Sequence, residues 1–119
     1  MYFTRQQKKL KFKMSKDKVL IIGSGGREHA LGWKISQSPH VSIVYYAHGN
    51  AGTSESKCRN VPVDFGKKEN FQAGLNFVEE NKIGMVVVGP EGPLCDGIVD
   101  HFNSRGYNRI LDLIKMLQD

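Results

Sequence analysis

The sequence is poor in the residues that build disulfide frameworks, zinc sites and membrane spans. Its 119 residues include two cysteines, Cys58 and Cys95, with no Cys-x-x-Cys pair and no histidine beside them at ligand spacing. Neither a disulfide framework nor a zinc site is therefore indicated. No run reaches the roughly 18 apolar residues of a membrane span, and the N-terminus lacks the apolar segment of a secretory signal. These absences predict a cytoplasmic protein with no membrane partner.

Acidic residues are missing from the first 16 positions, and this explains the basic character of the whole chain. Residues 1–18 hold seven lysines and arginines against one aspartate, a net charge of +6, whereas the complete chain carries +5. The remainder therefore carries −1, so the body is not a nucleic-acid-binding surface by charge. We predict a disordered basic extension over residues 1–17. Nucleic-acid binding by this tail ranks last among the alternatives; deleting residues 1–13 would then abolish salt-sensitive binding.

Apolar runs that end in glycine alternate with helical periodicity along the body. Runs of this kind are typical of strands buried on both faces of a parallel sheet. The predicted strands are Val19–Ile22, Val41–Ala47, Val61–Val63 and Met85–Val88, and the predicted helices are 28–36, 68–81 and 94–104. This order predicts an α/β fold with a short parallel sheet, flanking helices and a ligand crevice at the carboxyl ends of the strands.

The last segment breaks the alternation. Ile110, Leu113, Ile114 and Leu117 follow the i, i+3, i+4, i+7 spacing of an amphipathic helix. We therefore expect a sheet of four strands and an atypical C-terminal helix within residues 107–119. A sheet edge left open in this way favours self-association.

A glycine-rich connection follows the first strand, with the sequence Gly23-Ser24-Gly25-Gly26-Arg27-Glu28. Glycines let the backbone approach an anion, and the unpaired N–H groups at a helix start favour negative charge. A dinucleotide site would need a third glycine at position 28 and an acid after the second strand, and a Walker A loop would need Lys-Ser or Lys-Thr. A single phosphate or a sugar phosphate remains, with a plain tight turn as the alternative. Arg27 fits either a charge-assisted bond to that phosphate or a surface salt bridge with Glu28 or another acid.

Two further glycine-bearing loops follow later strands: Gly49-Asn50-Ala51-Gly52-Thr53 and Gly89-Pro90-Glu91-Gly92-Pro93. Loops after parallel strands meet at one edge of the sheet, so the three should line one crevice. A carboxylate at Glu91 repels phosphate and suits hydroxyls or an amine, or it simply opens the next helix. The histidines form no set, and no nucleophilic triad or metal-ligand spacing is present, so we predict no catalytic or metal-binding residue.

Three motifs in order give the chain a family resemblance: Val19–Leu31 with its Gly-Ser-Gly-Gly-Arg-Glu-His core, Gly49–Thr53, and Val86–Glu91. Over residues 18–106 the sequence resembles the N-terminal domain of glycinamide ribonucleotide synthetases, also called phosphoribosylamine-glycine ligases, of purine biosynthesis. The resemblance implies a Rossmann-like pre-ATP-grasp domain that binds 5-phosphoribosylamine. In the family, ATP and Mg²⁺ serve to phosphorylate glycine, and the amine of 5-phosphoribosylamine then displaces the phosphate.

Carried over by motif, the resemblance implies a pocket formed by the three loops. Gly23, Gly25, Gly26, Arg27 and Glu28 would face the sugar phosphate, and the lining would be completed by Asn50, Gly52, Thr53, Gly89, Pro90 and Glu91. One departure is His48, which stands where the family usually has proline. A second is that the family continues after position 106 into a strand and then the ATP-grasp domains, whereas this chain has residues 107–119.

The leading hypothesis is therefore a substrate-binding domain, a truncated form of the ligase, that performs no chemistry and binds no cofactor alone. One alternative is that it joins ATP-grasp domains supplied in trans and regains activity. Another is a small Rossmann-type nucleotide-binding module without catalysis; the missing acid after the second strand disfavours NAD.

Overall fold

Within the part of the chain that the structure describes, five parallel strands form a single sheet, and three helices lie between them in sequence. The strands are β1 Asp17–Gly23, β2 Val41–His48, β3 Cys58–Val61, β4 Ile83–Val88 and β5 Ile110–Asp112. The helices are α1 Gly26–Ser36, α2 Phe71–Glu80, which follows a 3-10 turn at Lys68–Asn70, and α3 Pro93–Ser104. The computed structural model describes residues 17–23, 25–49, 57–89 and 93–112. The order across the sheet is β3-β2-β1-β4-β5, and every adjacent pair is parallel.

The two central strands are buried on both faces, as their continuous apolar runs predicted. Val19, Leu20, Ile21 and Ile22 have no exposed surface, and all of β4 is buried. Because successive side chains of a strand point to opposite faces, each run contributes to two separate cores. The predicted α/β fold with a parallel sheet and flanking helices is confirmed, and so is the Rossmann-like character that the family resemblance implies.

The two cores lie on opposite faces of the sheet and belong to different helices. On one face, α1 packs through Ile35 against Val19, Ile21 and Tyr46. On the other face, α2 and α3 pack through residues such as Leu75 and Phe102. Within the described part of the chain, no helix is both long enough and apolar enough to cross a bilayer.

The strand order reverses between β1 and β4. The chain moves outward from β1 to β2 and β3, then crosses back to place β4 on the other side of β1. The connections that leave the carboxyl ends of β1 and β4 therefore diverge to opposite faces. In open α/β sheets a ligand crevice opens at such a switch point. This topology identifies the loops after Gly23 and Val88 as the walls of the candidate site.

The C-terminal prediction is wrong where the structure describes it. Ile110, Leu111 and Asp112 form strand β5, paired with Val86, Val87 and Val88 of β4, and do not begin a helix. The unpaired edge of β4 offers backbone hydrogen bonds that local periodicity does not reveal, and tertiary pairing overrides propensity. Among the described residues the sheet thus has five strands rather than four. Residues 113–119 and the basic extension 1–16 lie outside the described residues.

The third strand was also misplaced by three residues. We predicted Val61–Val63 and a loop up to Arg59, whereas β3 spans Cys58–Val61. Its pairing with β2 aligns Cys58 with Val44, and only the Cys58 side chain is buried. Arg59 and Asn60 are exposed on this outer strand. Because an edge strand needs no apolar residues on its solvent side, these polar residues gave no sequence signal for a strand.

Candidate functional site at the switch point

The connection from β1 to α1 presents backbone N–H groups at the carboxyl edge of the sheet. Gly23 has a φ of +140°, a conformation that side-chain-bearing residues rarely adopt. Helix α1 then begins at Gly26, two residues before its predicted start, with Gly25 as N-cap and no side-chain capping bond. The first backbone bond of the helix is from His29 N to Gly25 O, at 3.1 Å. The N–H groups of its first turn are therefore available to an anion.

Arg27 lies on this exposed first turn, and Gly25 and Gly26 beside it are also exposed. Within the described residues Arg27 forms no ion pair, and the alternative of a surface salt bridge to Glu28 is not found because Glu28 turns inward. A guanidinium with no carboxylate partner among the described residues can form a charge-assisted bond to phosphate.

Glu28 is the one charged side chain that is buried among the described residues, with 4% of its surface exposed. Its carboxylate lies against both walls of the switch point. A Cβ built on Gly23 would sit 2.5 Å from Glu28 Oε1, and one built on Gly89 would sit 2.0 Å from the same atom. Gly89 N donates to Ile22 O at 2.9 Å, so the two strand ends are joined beside this carboxylate. Glycine is required at both positions because Glu28 occupies the space of a side chain.

Substituting Gly89 by alanine should lower the free energy of unfolding by about 2 kcal/mol, as overpacking does in a filled interior. The added Cβ would also approach Glu28 Cδ at 2.7 Å and Cγ at 2.9 Å, so rotation of the carboxylate alone does not remove the clash. Urea unfolding of wild type, G89A, E28A and the double variant measures this. The double variant should be more stable than G89A. Additive losses would show that the two residues do not meet.

The second predicted loop is described only at its start. His48 is exposed at the end of β2, followed by Gly49, which is buried with a φ of +70°. The peptide bond between Ala47 and His48 is cis. Neither residue is acidic, so the end of β2 lacks the carboxylate that holds the ribose in a dinucleotide site. The remaining site candidates Asn50, Gly52, Thr53, Pro90 and Glu91 lie outside the described residues, and their roles stay predictions.

Two histidines take structural positions. The half-buried His29 ring packs edge-on against Tyr46, with ring centroids 6.4 Å apart. His101, near the end of α3, contacts Phe71 and lies 3.0 Å from Gln72 Oε1. Burial, and secondarily the nearby Arg105 charge, lower the His101 pKa. Among the described residues no three His, Cys, Asp or Glu side chains come together as a metal site.

Sequence reasoning missed Tyr46 as a residue that positions the site. Its side chain is fully buried beneath α1, and its hydroxyl donates to His29 O at 3.2 Å. This hydrogen bond therefore fixes the distance between the first turn of α1 and the sheet. The apolar run of β2 does not single out Tyr46, and the acceptor of its hydroxyl belongs to another element and is visible only in the folded chain.

Comparison with known proteins agrees with this architecture. Residues 17–110 match the family model described as phosphoribosylglycinamide synthetase, N domain. The phosphoribosylamine--glycine ligase of Pseudomonas putida is 54% identical over 90 residues, which cover 75% of this chain and 20% of the relative. That of Rhodopirellula baltica is 50% identical over 93 residues, 78% of this chain and 20% of the relative. The trifunctional purine biosynthetic protein adenosine-3 of Gallus gallus is 53% identical over 91 residues, 76% of this chain and 9% of the relative.

These matches extend the resemblance beyond the boundary predicted from the sequence. The family match continues past position 106 to position 110, where β5 begins. The chain spans about a fifth of the length of the ligases from Pseudomonas and Rhodopirellula.

Proposed function

This chain belongs to the phosphoribosylglycinamide synthetase N-domain family, and from that membership we propose that it binds 5-phosphoribosylamine for purine biosynthesis. The observation that supports this most directly is the first turn of α1, which has no side-chain cap, beside Arg27, which forms no ion pair with a described residue, at the switch point of the sheet. The phosphate would lie on the N–H groups of this turn, where the helix dipole favours negative charge. The sugar would extend toward the β4 loop.

The complete ligase reaction is proposed to need ATP-grasp domains, in the same polypeptide or supplied in trans. ATP and Mg²⁺ would be held by those domains, as the family resemblance implies. The role of this domain would be to bind and orient the phosphorylated amine. Domain bounds of 18–106, a cytoplasmic location and self-association through an open sheet edge stay predictions.

Titration with ribose 5-phosphate tests the proposal. The wild-type chain should bind ribose 5-phosphate in the millimolar range. Calorimetry, or the change in amide chemical shifts in the first turn of α1, measures this binding. Arg27→Met should weaken binding about tenfold, the size of one charge-assisted hydrogen bond. Arg105→Met is the matched control, because Arg105 is an exposed arginine just after the far end of α3. A folded wild-type chain that does not bind ribose 5-phosphate at millimolar concentration would overturn the proposal.

A further inference from the structure

The buried carboxylate of Glu28 is unusual because it stands at the mouth of a site proposed for an anion. It belongs to the first turn of α1, where side chains lean toward the N-terminus of the helix and so toward the strand ends. Besides its contacts at Gly23 and Gly89, its Oε2 lies 3.0 Å from the position of a Cβ on Gly25. Three glycine positions in two connections therefore surround one carboxylate.

No described residue donates a hydrogen bond to this carboxylate. The adjacent cation, Arg27, is exposed, and Glu28 forms no ion pair with another described side chain. An ionised carboxylate accepts up to about four hydrogen bonds, and burying it without donors costs several kcal/mol. Buried polar groups in folded proteins nearly always have partners, so an unpartnered one calls for a donor from outside the chain.

The position of the carboxylate determines which part of a ligand it meets. The exposed N–H groups and Arg27 attract phosphate on the outer side of the first turn. A phosphate beside Glu28 would instead face a like charge in a site with little water, where repulsion is strong. The family resemblance implies that Glu28 faces the sugar phosphate together with its neighbours. The structure places its carboxylate between Gly23, at the end of β1, and Gly89, after β4.

We infer that Glu28 is a specificity-determining residue that accepts hydrogen bonds from the C1 amine of the phosphorylated sugar. The inference rests on the proposed function and assigns the two ends of the ligand: phosphate on the first turn of α1, amine at the carboxylate between Gly23 and Gly89. The pair of glycines keeps this position open to a ligand nitrogen, because a side chain on either would displace the acceptor.

Paired titrations separate this role from a supporting one. The first probe is ribose 5-phosphate, which has no amine. The second is a carbocyclic 5-phosphate analogue bearing a C1 amine, in which CH₂ replaces the ring oxygen so that the amine is not lost by hydrolysis. Wild type should bind the amine analogue more tightly than ribose 5-phosphate. Glu28→Gln, which keeps the size but removes the charge, should weaken the amine probe at least about tenfold and change ribose 5-phosphate less than about threefold.

The matched control is Glu79→Gln, on the exposed face of α2, which should change neither affinity. Equal weakening of both probes by E28Q would show that Glu28 only supports the loops, and unchanged affinities would show that it does not touch the ligand. Either result overturns the inference while leaving phosphate binding in place. If wild type binds neither probe, the proposed function itself fails.

A measurement on the wild-type chain covers the case in which E28Q does not fold. The Glu28 side-chain carboxyl carbon can be followed by ¹³C NMR during both titrations. The amine probe should shift this resonance at saturation, and ribose 5-phosphate should leave it nearly unchanged. A carboxyl resonance that responds equally to both probes, or to neither, contradicts the inference.

Discussion

Replacing Gly32 by alanine is expected to lower the free energy of unfolding by about 3 kcal/mol, the upper part of the range for overpacked interiors. Gly32 is buried in the middle of α1, directly above Tyr46. An added Cβ would lie within 1.9 Å of the Tyr46 hydroxyl oxygen, 2.4 Å of its Cζ and 2.8 Å of Ile21 Cδ1. Tyr46 and Ile21 have no exposed surface, so neither can move aside without disturbing the sheet. Urea unfolding measures the loss.

Gly26→Ala is the control for this substitution on the same helix. A Cβ at Gly26 meets nothing within 4 Å, and its φ is ordinary. Because alanine favours helix over glycine by roughly 0.5–1 kcal/mol, this variant should be neutral or slightly stabilised. Equal effects of G26A and G32A would contradict the packing described here.

Adding Tyr46→Phe to the G32A variant separates the clash with the Tyr46 hydroxyl from the clash with its ring. Removing the hydroxyl in the G32A background deletes the atom at 1.9 Å, but the ring carbon at 2.4 Å remains. It also removes the bond to His29 O. The double variant should therefore recover only part of the lost stability. Full recovery would mean that the ring has room to tilt.

The central strands could be predicted because their evidence is local. Val19–Ile22 and Met85–Val88 are continuous apolar runs, and strands buried on both faces need only that. The glycine after each run marked where the chain leaves the sheet, and the structure places both glycines at the switch point. The fold class and the two loops of the candidate site followed from these two runs.

Two features could not be predicted because they depend on residues distant in sequence. The spacing of Ile110 from Leu113, Ile114 and Leu117 predicts a helix, and only pairing with the edge of β4 selects a strand at Ile110. The position of Glu28 on the first turn of α1 was evident, but its burial results from Gly89, which arrives with β4. Long-range pairing and enclosure of this kind leave no periodic trace in the sequence.

Phe102 is expected to anchor β5, so truncating its side chain should have a large effect on stability. Its fully buried ring lies on α3 and packs edge-on against Tyr107, with centroids 5.8 Å apart. Tyr107 in turn donates through its hydroxyl to Ile83 O at 3.0 Å, at the start of β4. Phe102→Ala should lower the free energy of unfolding by about 3–5 kcal/mol through lost burial and the cavity left behind. Phe102→Leu, which keeps most of the volume, should cost about 1.5 kcal/mol or less.

Amide hydrogen exchange shows which side of β4 the Phe102→Ala substitution destabilises. The Val86 amide donates to Arg109 O at 2.9 Å, across the β4–β5 side, and the Gly89 amide donates to Ile22 O at 2.9 Å, across the β4–β1 side. Without the Phe102 ring, the turn that carries Arg109 loses its anchor. The Val86 amide should then lose more protection than the Gly89 amide, because β5 opens before the sheet unfolds. Equal loss at both amides would show that β5 opens only with the whole domain, and that Phe102 stabilises the fold without a separate hold on its last strand.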